Sequence, residues 1–158
     1  MSVNKFHPHI LVLPEDEANS DIANGFHLEV NAIRQMQVLE EAGGWGEVLN
    51  QFHSVHVVEM DRNPYRFMVL LIDCDGQVER LNNARERIPE HLKNRVFILG
   101  VLSEPEALRP DLGSLETIGK KIAEDCRDET DAIWNHNLLR HNVIEVARLR
   151  QHAGDILF

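Results

Sequence analysis

The sequence predicts an α/β protein, with a mostly parallel sheet of about four strands and helices on both faces. Two observations carry this prediction: apolar runs of strand length recur along the chain, and stretches with helical periodicity separate them. Continuous rather than alternating apolar runs are typical of strands buried on both faces. Strands that alternate with helices favour βαβ crossovers and hence a parallel sheet. The four apolar runs are Ile10 to Leu13, Val55 to Val58, Phe67 to Ile72 and Val96 to Leu102.

Helical periodicity predicts a helix between the first two runs. Ala32, Ile33, Met36 and Leu39 fall on one helical face, and Gly43-Gly44 is expected to end that helix. Three more helices are expected farther along: 77–92, kinked or divided at Pro89; 115–125, after the N-cap Ser114; and 137–151.

Length and composition limit the class of protein. The chain of 158 residues suits one domain, with a core at about 9–106 and a C-terminal helical region at about 114–153. No apolar run reaches the ~20 residues that a membrane span needs, and no signal peptide or membrane partner is expected. Cys74 and Cys126 are too few for a disulfide scaffold, which favours a cytoplasmic location.

The formal net charge of −10 counts against a free-standing nucleic-acid binder, because phosphate contacts are made by Lys and Arg. Binding of nucleic acid would need a local basic patch or a partner protein. The stretch from Arg80 to Arg95 is such a candidate, although it also fits a solvated helix face with paired charges.

Acidic side chains follow three of the four apolar runs. Because the carboxyl ends of parallel strands share one edge of a sheet, these acids are expected in the crevice where α/β proteins bind their ligands. Like charges in a crevice repel, and a bound cation relieves the repulsion. The acids are Glu15, Asp16 and Glu17 after the first run, Asp73 and Asp75 after the third, and Glu104 and Glu106 after the fourth.

Asp73 and Asp75 have the spacing of a Mg²⁺ site. Residues i and i+2 point to the same side of an extended chain, and Mg²⁺ prefers a few carboxylate oxygens from the protein. The alternative is structural, since Asp and Gly76 are common turn residues, and acids such as Glu17 favour a helix N-terminus.

The pattern resembles the Toprim domain of type IA topoisomerases, bacterial primases, recombination-repair proteins and the nucleases of the overcoming-lysogenization-defect family. Leu11-Val12-Leu13-Pro14-Glu15 looks like the first Toprim element, and Leu70-Leu71-Ile72-Asp73-Cys74-Asp75-Gly76 looks like the second. The resemblance covers roughly residues 9–106. The family usually has Gly after the glutamate, where this chain has Asp16, so either Glu15 or Glu17 takes the role of that glutamate.

The resemblance implies a site that binds Mg²⁺ or Mn²⁺, with Glu15, Asp73 and Asp75 as catalytic and metal-binding residues and Glu17 as the alternative glutamate. The segment from Ser103 to Leu108 looks like a further acidic element of the small nuclease-like branch. The resemblance therefore implies Glu106 as the first candidate, and Glu104 as the second candidate, for a ligand of a second metal. In such proteins the metal stabilises charge while a phosphodiester is broken, and the glutamate acts as acid or base.

Two functions follow as expectations. The first is a metal-dependent hydrolase that cleaves phosphodiester bonds of nucleic acid with an ATPase partner. The second is a non-catalytic Toprim-fold module that binds a nucleotide or a partner protein, and Asp16 and the acidic charge favour it. A zinc site is not expected, because the nine histidines show no HExxH or Cys/His pattern.

Overall fold

A four-stranded sheet, parallel throughout, organises the part of the chain that the computed structural model describes, residues 2–31 and 33–158. The strands are β1 (His9–Pro14), β2 (Met36–Val38), β3 (Arg66–Leu71) and β4 (Val96–Leu99). Their order in the sheet is β2-β1-β3-β4, and each neighbouring pair is parallel. The α/β class and the parallel sheet predicted from the sequence are thus confirmed.

Helices connect the strands and complete the C-terminal region. The α-helices are α1 (Glu17–His27), α2 (Trp45–Gln51), α3 (Val57–Arg62), α4 (Glu79–Glu86), α5 (Arg109–Leu112), α6 (Leu115–Asp128) and α7 (Val143–Leu157). A π-helical turn, Phe52–His56, joins α2 to α3, and the 3-10 segments are Ile33–Gln35, Glu90–Arg95, Pro105–Leu108 and Arg140–Asn142. Within the described ranges, no helix combines the length and the apolarity needed to cross a bilayer.

The helices cover both faces of the sheet and make a three-layer arrangement. Along β1, Ile10 and Val12 face a cluster that contains the buried sides of α1, α6 and α7, whereas Leu11 and Leu13 face the buried side chains of α2, α3 and α4. Side chains that alternate between two apolar layers explain why β1 is a continuous apolar run. The predicted placement of helices on both faces is confirmed.

The apolar run from Val55 to Val58 was predicted to be a strand, and this prediction is wrong. The run lies in the π-helical turn and the start of α3. Phe52 and Met60 are fully buried, whereas Val55 is 51% exposed and Val58 47% exposed. The buried positions therefore have helical rather than strand spacing, which a four-residue apolar run does not reveal by itself.

The predicted helix through Met36 and Leu39 is also wrong. Met36 begins β2, which pairs in parallel with β1 at the edge of the sheet. Ala32, which belonged to the predicted helical face, lies outside the described residues, and Ile33 opens a 3-10 segment. Tertiary pairing with β1 overrides a helical pattern that rested on few positions.

The helix that follows β1 is instead α1, which the sequence indicated only through the alternative interpretation of the acids after β1 as a helix N-terminus. Its buried residues are mostly small and only one of them is a large apolar residue; they are Ala18, Asn19, Ile22, Ala23 and Gly25. Such a narrow face gives a weak periodic signal.

The later helices agree better with the sequence. Pro89 separates α4 from the 3-10 segment Glu90–Arg95, as predicted. Ser114 caps α6, since its hydroxyl accepts a hydrogen bond from the amide of Thr117 at 3.2 Å. The last helix begins at Val143, six residues after the predicted start at Asn137.

Two glycines let α1 and α6 cross at backbone contact. A Cβ atom added to Gly119 of α6 would lie 2.0 Å from the carbonyl oxygen of Ile22. A Cβ atom on Gly25 of α1 would lie 2.1 Å from the carbonyl oxygen of Glu116. Only glycine allows this approach, so the two helices form a tight layer over the sheet.

Candidate functional site

The strand order places a topological switch point between β1 and β3. From β1 the chain runs through α1 to β2, which is the neighbour of β1 away from β3. From β3 it runs through α4 to β4, which is the neighbour of β3 away from β1, and α4 covers the opposite face of the sheet from α1. In parallel α/β sheets the ligand crevice forms beyond the carboxyl ends of the strands at such a point. Glu15 directly follows β1, and Asp73 lies two residues after the end of β3, so both flank the switch point.

Glu15 and Asp73 are in direct contact there. The amide of Glu15 donates to the carbonyl of Leu71 at 3.0 Å, which continues the parallel ladder. The amide of Asp73 then donates at 2.7 Å to the side-chain Oε2 of Glu15 rather than to its carbonyl. That carbonyl accepts hydrogen bonds from Gly43 and Gly44. A side chain thus replaces the backbone acceptor expected next in a parallel ladder, and the strands separate at the crevice.

Asn19 holds the carboxylate of Asp73. Its side-chain amide donates to Asp73 Oδ1 at 3.0 Å and to Asp16 Oδ1 at 2.9 Å. Asp16 is the N-cap of α1 and also accepts from the backbone amide of Asn19 at 3.0 Å. The residue that departs from the Toprim pattern therefore starts the first helix and orients a partner of Asp73.

Asp75 lies in a turn rather than in extended chain. Its φ is 49° and that of Gly76 is 78°. The amide of Gln77 donates to the carbonyl of Cys74 at 2.8 Å, which closes the turn. Two central residues with positive φ are the pattern of a type I′ turn, which favours Asp-Gly. The prediction that both aspartates share one side of an extended chain is therefore wrong, and the turn sets the direction of Asp75.

Arg80 of α4 joins the two aspartates. Its Nη1 donates to the carboxylate of Asp75 and to the backbone carbonyl of Asp73, each at 2.9 Å. The guanidinium carbon lies 4.9 Å from the centre of the Trp45 ring. Trp45 opens α2 and packs partly against the core, so it offers Arg80 a fixed aromatic surface.

The acids raise one another's proton affinity. Burial, together with the charges of Asp16, Glu15 and Asp75, raises the pKa of Asp73 to about 7, against the opposing hydrogen bond from Asn19. Burial also raises the pKa of Glu15, and the hydrogen bond from Asp73 and the charge of Arg80 oppose that rise. The site therefore holds more negative charge than its burial favours.

The structure does not bring the other predicted acids into this contact. Glu17 starts α1 with an exposed side chain, so Glu15 is the glutamate that meets Asp73. Glu104 and Glu106 are exposed on the segment after β4. The carbonyl of Ser103 accepts a hydrogen bond from Asp75 at 3.1 Å, which brings only the backbone before Glu104 to the turn. The second-metal ligands stay a prediction.

The carboxylates of this site have the donor chemistry of a divalent-cation site, but the described side chains are not arranged as a ligand set. Carboxylate oxygens from Glu15, Asp73 and Asp75 are the ligands that Mg²⁺ prefers, and the raised pKa of Asp73 marks a charge that a cation would offset. In this structure, Arg80 donates to the carboxylate of Asp75 and Asn19 donates to that of Asp73. Among the described residues, no group of three or more His, Cys, Asp or Glu side chains is assembled to hold a metal ion.

Cys74, between the two aspartates, has a packing role. It is fully buried, and its pKa is raised to about 11, chiefly by burial, which disfavours the reactive thiolate. Its sulfur lies 3.9 Å from Nε2 of His141.

Three basic residues of the stretch from Arg80 to Arg95 make contacts elsewhere in the fold and do not reach the acids of the site. Arg85 lies 3.5 Å from the buried carboxylate of Glu145, and Lys93 pairs with Glu90 at 2.7 Å. Arg95 donates to backbone carbonyls, including that of Met60. Arg80 is therefore the member of the stretch that reaches the site.

Sequence reasoning missed Asn19 and did not connect Arg80 to Trp45. Asp16 had the local signal of an N-cap, since a capping aspartate accepts from the backbone amide three positions on, but the contact of the Asn19 side chain with Asp73 has no such signal. The approach of Arg80 to Trp45 carries no local signal, because the two residues come from different crossovers.

Comparisons of the chain with protein-family models, with curated proteins and with solved structures found no match. The assignment of this site therefore rests on the geometry and charge of its own residues.

Proposed function

We propose that this chain is a Toprim-like protein that uses Mg²⁺ or Mn²⁺ to cleave phosphodiester bonds of nucleic acid together with a partner protein. The observation that carries the proposal is the contact of Glu15 with Asp73 across the β1–β3 switch point, at 2.7 Å. Two acids from different strands meet where this class of sheet binds its ligands. The raised pKa of Asp73 supports a site that functions with a counter-charge.

The roles follow from the environment of each carboxylate. Asp73, Asp75 and Glu15 would hold the ion, which when bound supplies positive charge against the charge that develops on the phosphate. Asp16 and Asn19 orient Asp73 by hydrogen bonds. Glu15 is half-buried, and burial raises its pKa above the ordinary carboxyl value, which favours the role of a proton donor or acceptor.

Overall charge supports the need for a partner. With a net charge of −10, the chain repels a polyanion at long range. A partner with basic surface, for which we propose an ATPase, would supply the phosphate contacts and hold the substrate. Positioning of this kind can contribute ~7–11 kcal/mol to lowering a reaction barrier.

The test is a cleavage assay with single- and double-stranded DNA and RNA, with Mg²⁺ or Mn²⁺ and with EDTA, alone and with the cognate partner. Asp75→Asn removes the charge and keeps a residue that tolerates the positive φ of the turn, and the exposed Asp155→Asn is the matched control. We expect weak cleavage by the chain alone, stronger cleavage with the partner, and loss of both with EDTA or Asp75→Asn. Activity that survives both treatments would disprove the mechanism.

A non-catalytic module is the second candidate. The observation that favours it is the ion pair between Arg80 and Asp75 at 2.9 Å, which gives the acids a counter-charge from the protein itself. This candidate predicts no cleavage even with the partner, and no stabilisation by Mg²⁺ or Mn²⁺.

A further inference from the structure

A cavity of about 90 Å³ lies between the sheet and the helical layer formed by α1, α6 and α7. Ile10 and Val12 of β1 line it from the sheet, and Leu149 lines it from α7. None of the three acids of the candidate site is part of its wall. A ligand in this cavity would therefore not depend on a metal ion at those acids.

The wall of the cavity is almost wholly apolar. Most of its members are Ile, Val and Leu side chains, and among the described residues no charged side chain lines it. Burial of an ionised group without a counter-charge is costly, so the wall excludes a charged ligand. It also disfavours water, because an ordered internal water makes about two to four hydrogen bonds to polar groups.

The side-chain nitrogens that line the cavity are engaged elsewhere, with one exception. Asn19 donates its amide to the two aspartates described above. Asn142 donates its amide to two backbone carbonyls, at 2.9 Å each. The exception is Trp134, which is 2% exposed and whose Nε1 has no hydrogen-bond partner among the described residues. A buried N–H group without a partner is costly, so this donor indicates an acceptor that the protein itself does not supply.

The turn that carries Trp134 is anchored to the end of α6. The buried carboxylate of Asp125 accepts a hydrogen bond from the hydroxyl of Thr130 and another from the backbone amide of Ile133, each at 2.6 Å. These bonds fix the backbone next to Trp134 without using the indole N–H group. The donor is thus held in place before a ligand binds, which lowers the entropic cost of binding.

We propose that this cavity binds a small uncharged molecule with an apolar body and one hydrogen-bond acceptor, which receives a hydrogen bond from Nε1 of Trp134. An apolar cavity of ~150 Å³ holds benzene, so a cavity of about 90 Å³ holds a ligand on the order of four heavy atoms. A short ketone has this composition. Burial of its hydrocarbon part supplies affinity, and the indole N–H selects for its oxygen.

The first experiment records proton–nitrogen correlation NMR spectra of the full chain during titration with acetone and, separately, with isobutene. Isobutene has the shape of acetone, with a methylene group in place of the oxygen. The chain has two tryptophans, and Trp45→Phe and Trp134→Phe assign the two indole resonances. We expect acetone to move the Trp134 indole resonance downfield and to leave that of Trp45 in place. Isobutene should bind without this downfield shift.

Trp134→Phe tests the selection for an acceptor, because it keeps an aromatic wall and removes the N–H group. Backbone amide shifts give the affinities for both compounds in the same titrations. We expect the affinity for acetone, relative to that for isobutene, to fall at least about threefold in Trp134→Phe. Trp45→Phe changes a tryptophan that does not line the cavity, and its ratio should stay within about twofold of the natural chain. An unchanged ratio in Trp134→Phe would refute the hydrogen bond to the ligand.

Ala23→Leu tests the location of the site. Ala23 is a buried residue of α1 that lines the cavity, and the larger side chain takes the space of the ligand. We expect Ala23→Leu to lose binding of both compounds. Ala147→Leu makes the same change at an exposed position of α7 and should bind as the natural chain does. Val69→Ile adds one methylene group to the wall from β3, and it should weaken the binding of isobutene even if Ala23→Leu does not fold.

The remaining outcomes each decide one part of the proposal. Natural affinity for both compounds in Ala23→Leu or in Val69→Ile would show that they bind outside the cavity. Binding of isobutene without binding of acetone would leave an apolar void and refute the acceptor. Absence of binding for both compounds up to their solubility would refute the site.

Discussion

The backbone amide of Asp73 donates a 2.7 Å hydrogen bond to the side-chain Oε2 of Glu15, across the junction of β1 and β3. This bond takes the place of a backbone contact in the parallel ladder. It fixes one carboxylate against the main chain of the other acid at the point where the sheet opens. The proximity of the two acids is thus a consequence of strand pairing. The charge of Glu15 helps to raise the pKa of Asp73, and the amide of Asp73 opposes the rise in the pKa of Glu15.

The first prediction concerns the pH dependence of stability. The pKa of Asp73 is about 7 in the folded chain, against an ordinary value of 3.8. The folded state therefore holds a proton that the unfolded state has lost between these values, and the free energy of unfolding falls as pH rises through this window. Because each pKa unit corresponds to ~1.4 kcal/mol, Asp73→Asn should gain about 2 kcal/mol over the natural chain between pH 5 and pH 8.

Denaturant unfolding at both pH values measures this difference. Asn keeps an oxygen that can accept from Asn19, so the hydrogen bond at 3.0 Å has a counterpart in the variant. Asp155→Asn, at an exposed position of α7, is the control and should show no such gain. A difference between Asp73→Asn and the natural chain that does not change with pH would contradict the raised pKa that burial and the neighbouring acids give Asp73.

The crossing of α1 and α6 gives the second prediction. Gly119→Ala places a methyl group 2.0 Å from the carbonyl oxygen of Ile22, so the helices must separate. We expect a loss of about 1–3 kcal/mol or more in the free energy of unfolding. Gly154→Ala is the matched control in α7, where a Cβ atom meets nothing within 4 Å, and it should stabilise the chain by about 0.5–1 kcal/mol. Thermal or denaturant melts of both variants measure the change in the free energy of unfolding. Equal changes in the two variants would contradict the close crossing of α1 and α6.

The edge of β4 gives the third prediction. The buried Glu145 of α7 accepts a hydrogen bond from the amide of Ile98 at 2.9 Å and pairs with Arg85 and Arg148. Glu145→Ala would leave the strand amide and both guanidinium groups without this acceptor. We expect a loss of about 3 kcal/mol or more in the free energy of unfolding.

Ile144→Ala is the control for Glu145→Ala, because Ile144 is the neighbouring residue and is 79% exposed. Its effect should stay within about 0.5 kcal/mol. If both variants unfolded at the same denaturant concentration, the buried contacts of Glu145 with Ile98, Arg85 and Arg148 would not contribute to stability as predicted.

The three strands that are buried on both faces could be predicted from the sequence, and the short edge strand β2 could not. β1, β3 and β4 are continuous apolar runs because each contributes side chains to both core clusters, one on each face of the sheet. β2 is only Met36–Val38, and its identity comes from its pairing with β1. The run at Val55 misled because an apolar tetrapeptide fits a strand or a helix equally well.

The site divides in the same way. Glu15 and Asp73 could be predicted to be neighbours, since both follow buried strands of one parallel sheet. Asp75 was placed next to Asp73 on the expectation of an extended chain. The structure corrects this reason, because Asp75 lies in a turn with positive φ. The contacts of Asn19 and Arg80 depend on how α1 and α4 pack, which local sequence does not encode.

The proposed binding of a divalent cation by Glu15, Asp73 and Asp75 is tested most directly by thermal melts at pH 8, with and without millimolar Mn²⁺. A ligand that binds only the folded state, at a hundredfold excess over its Kd, adds ~2.7 kcal/mol. For a chain of this size this corresponds to a rise in Tm on the order of 5–10 °C. We predict this rise in the natural chain and in Asp155→Asn, and no rise in Asp73→Asn. An unchanged Tm in the natural chain, or an equal rise in Asp73→Asn, would contradict the metal site.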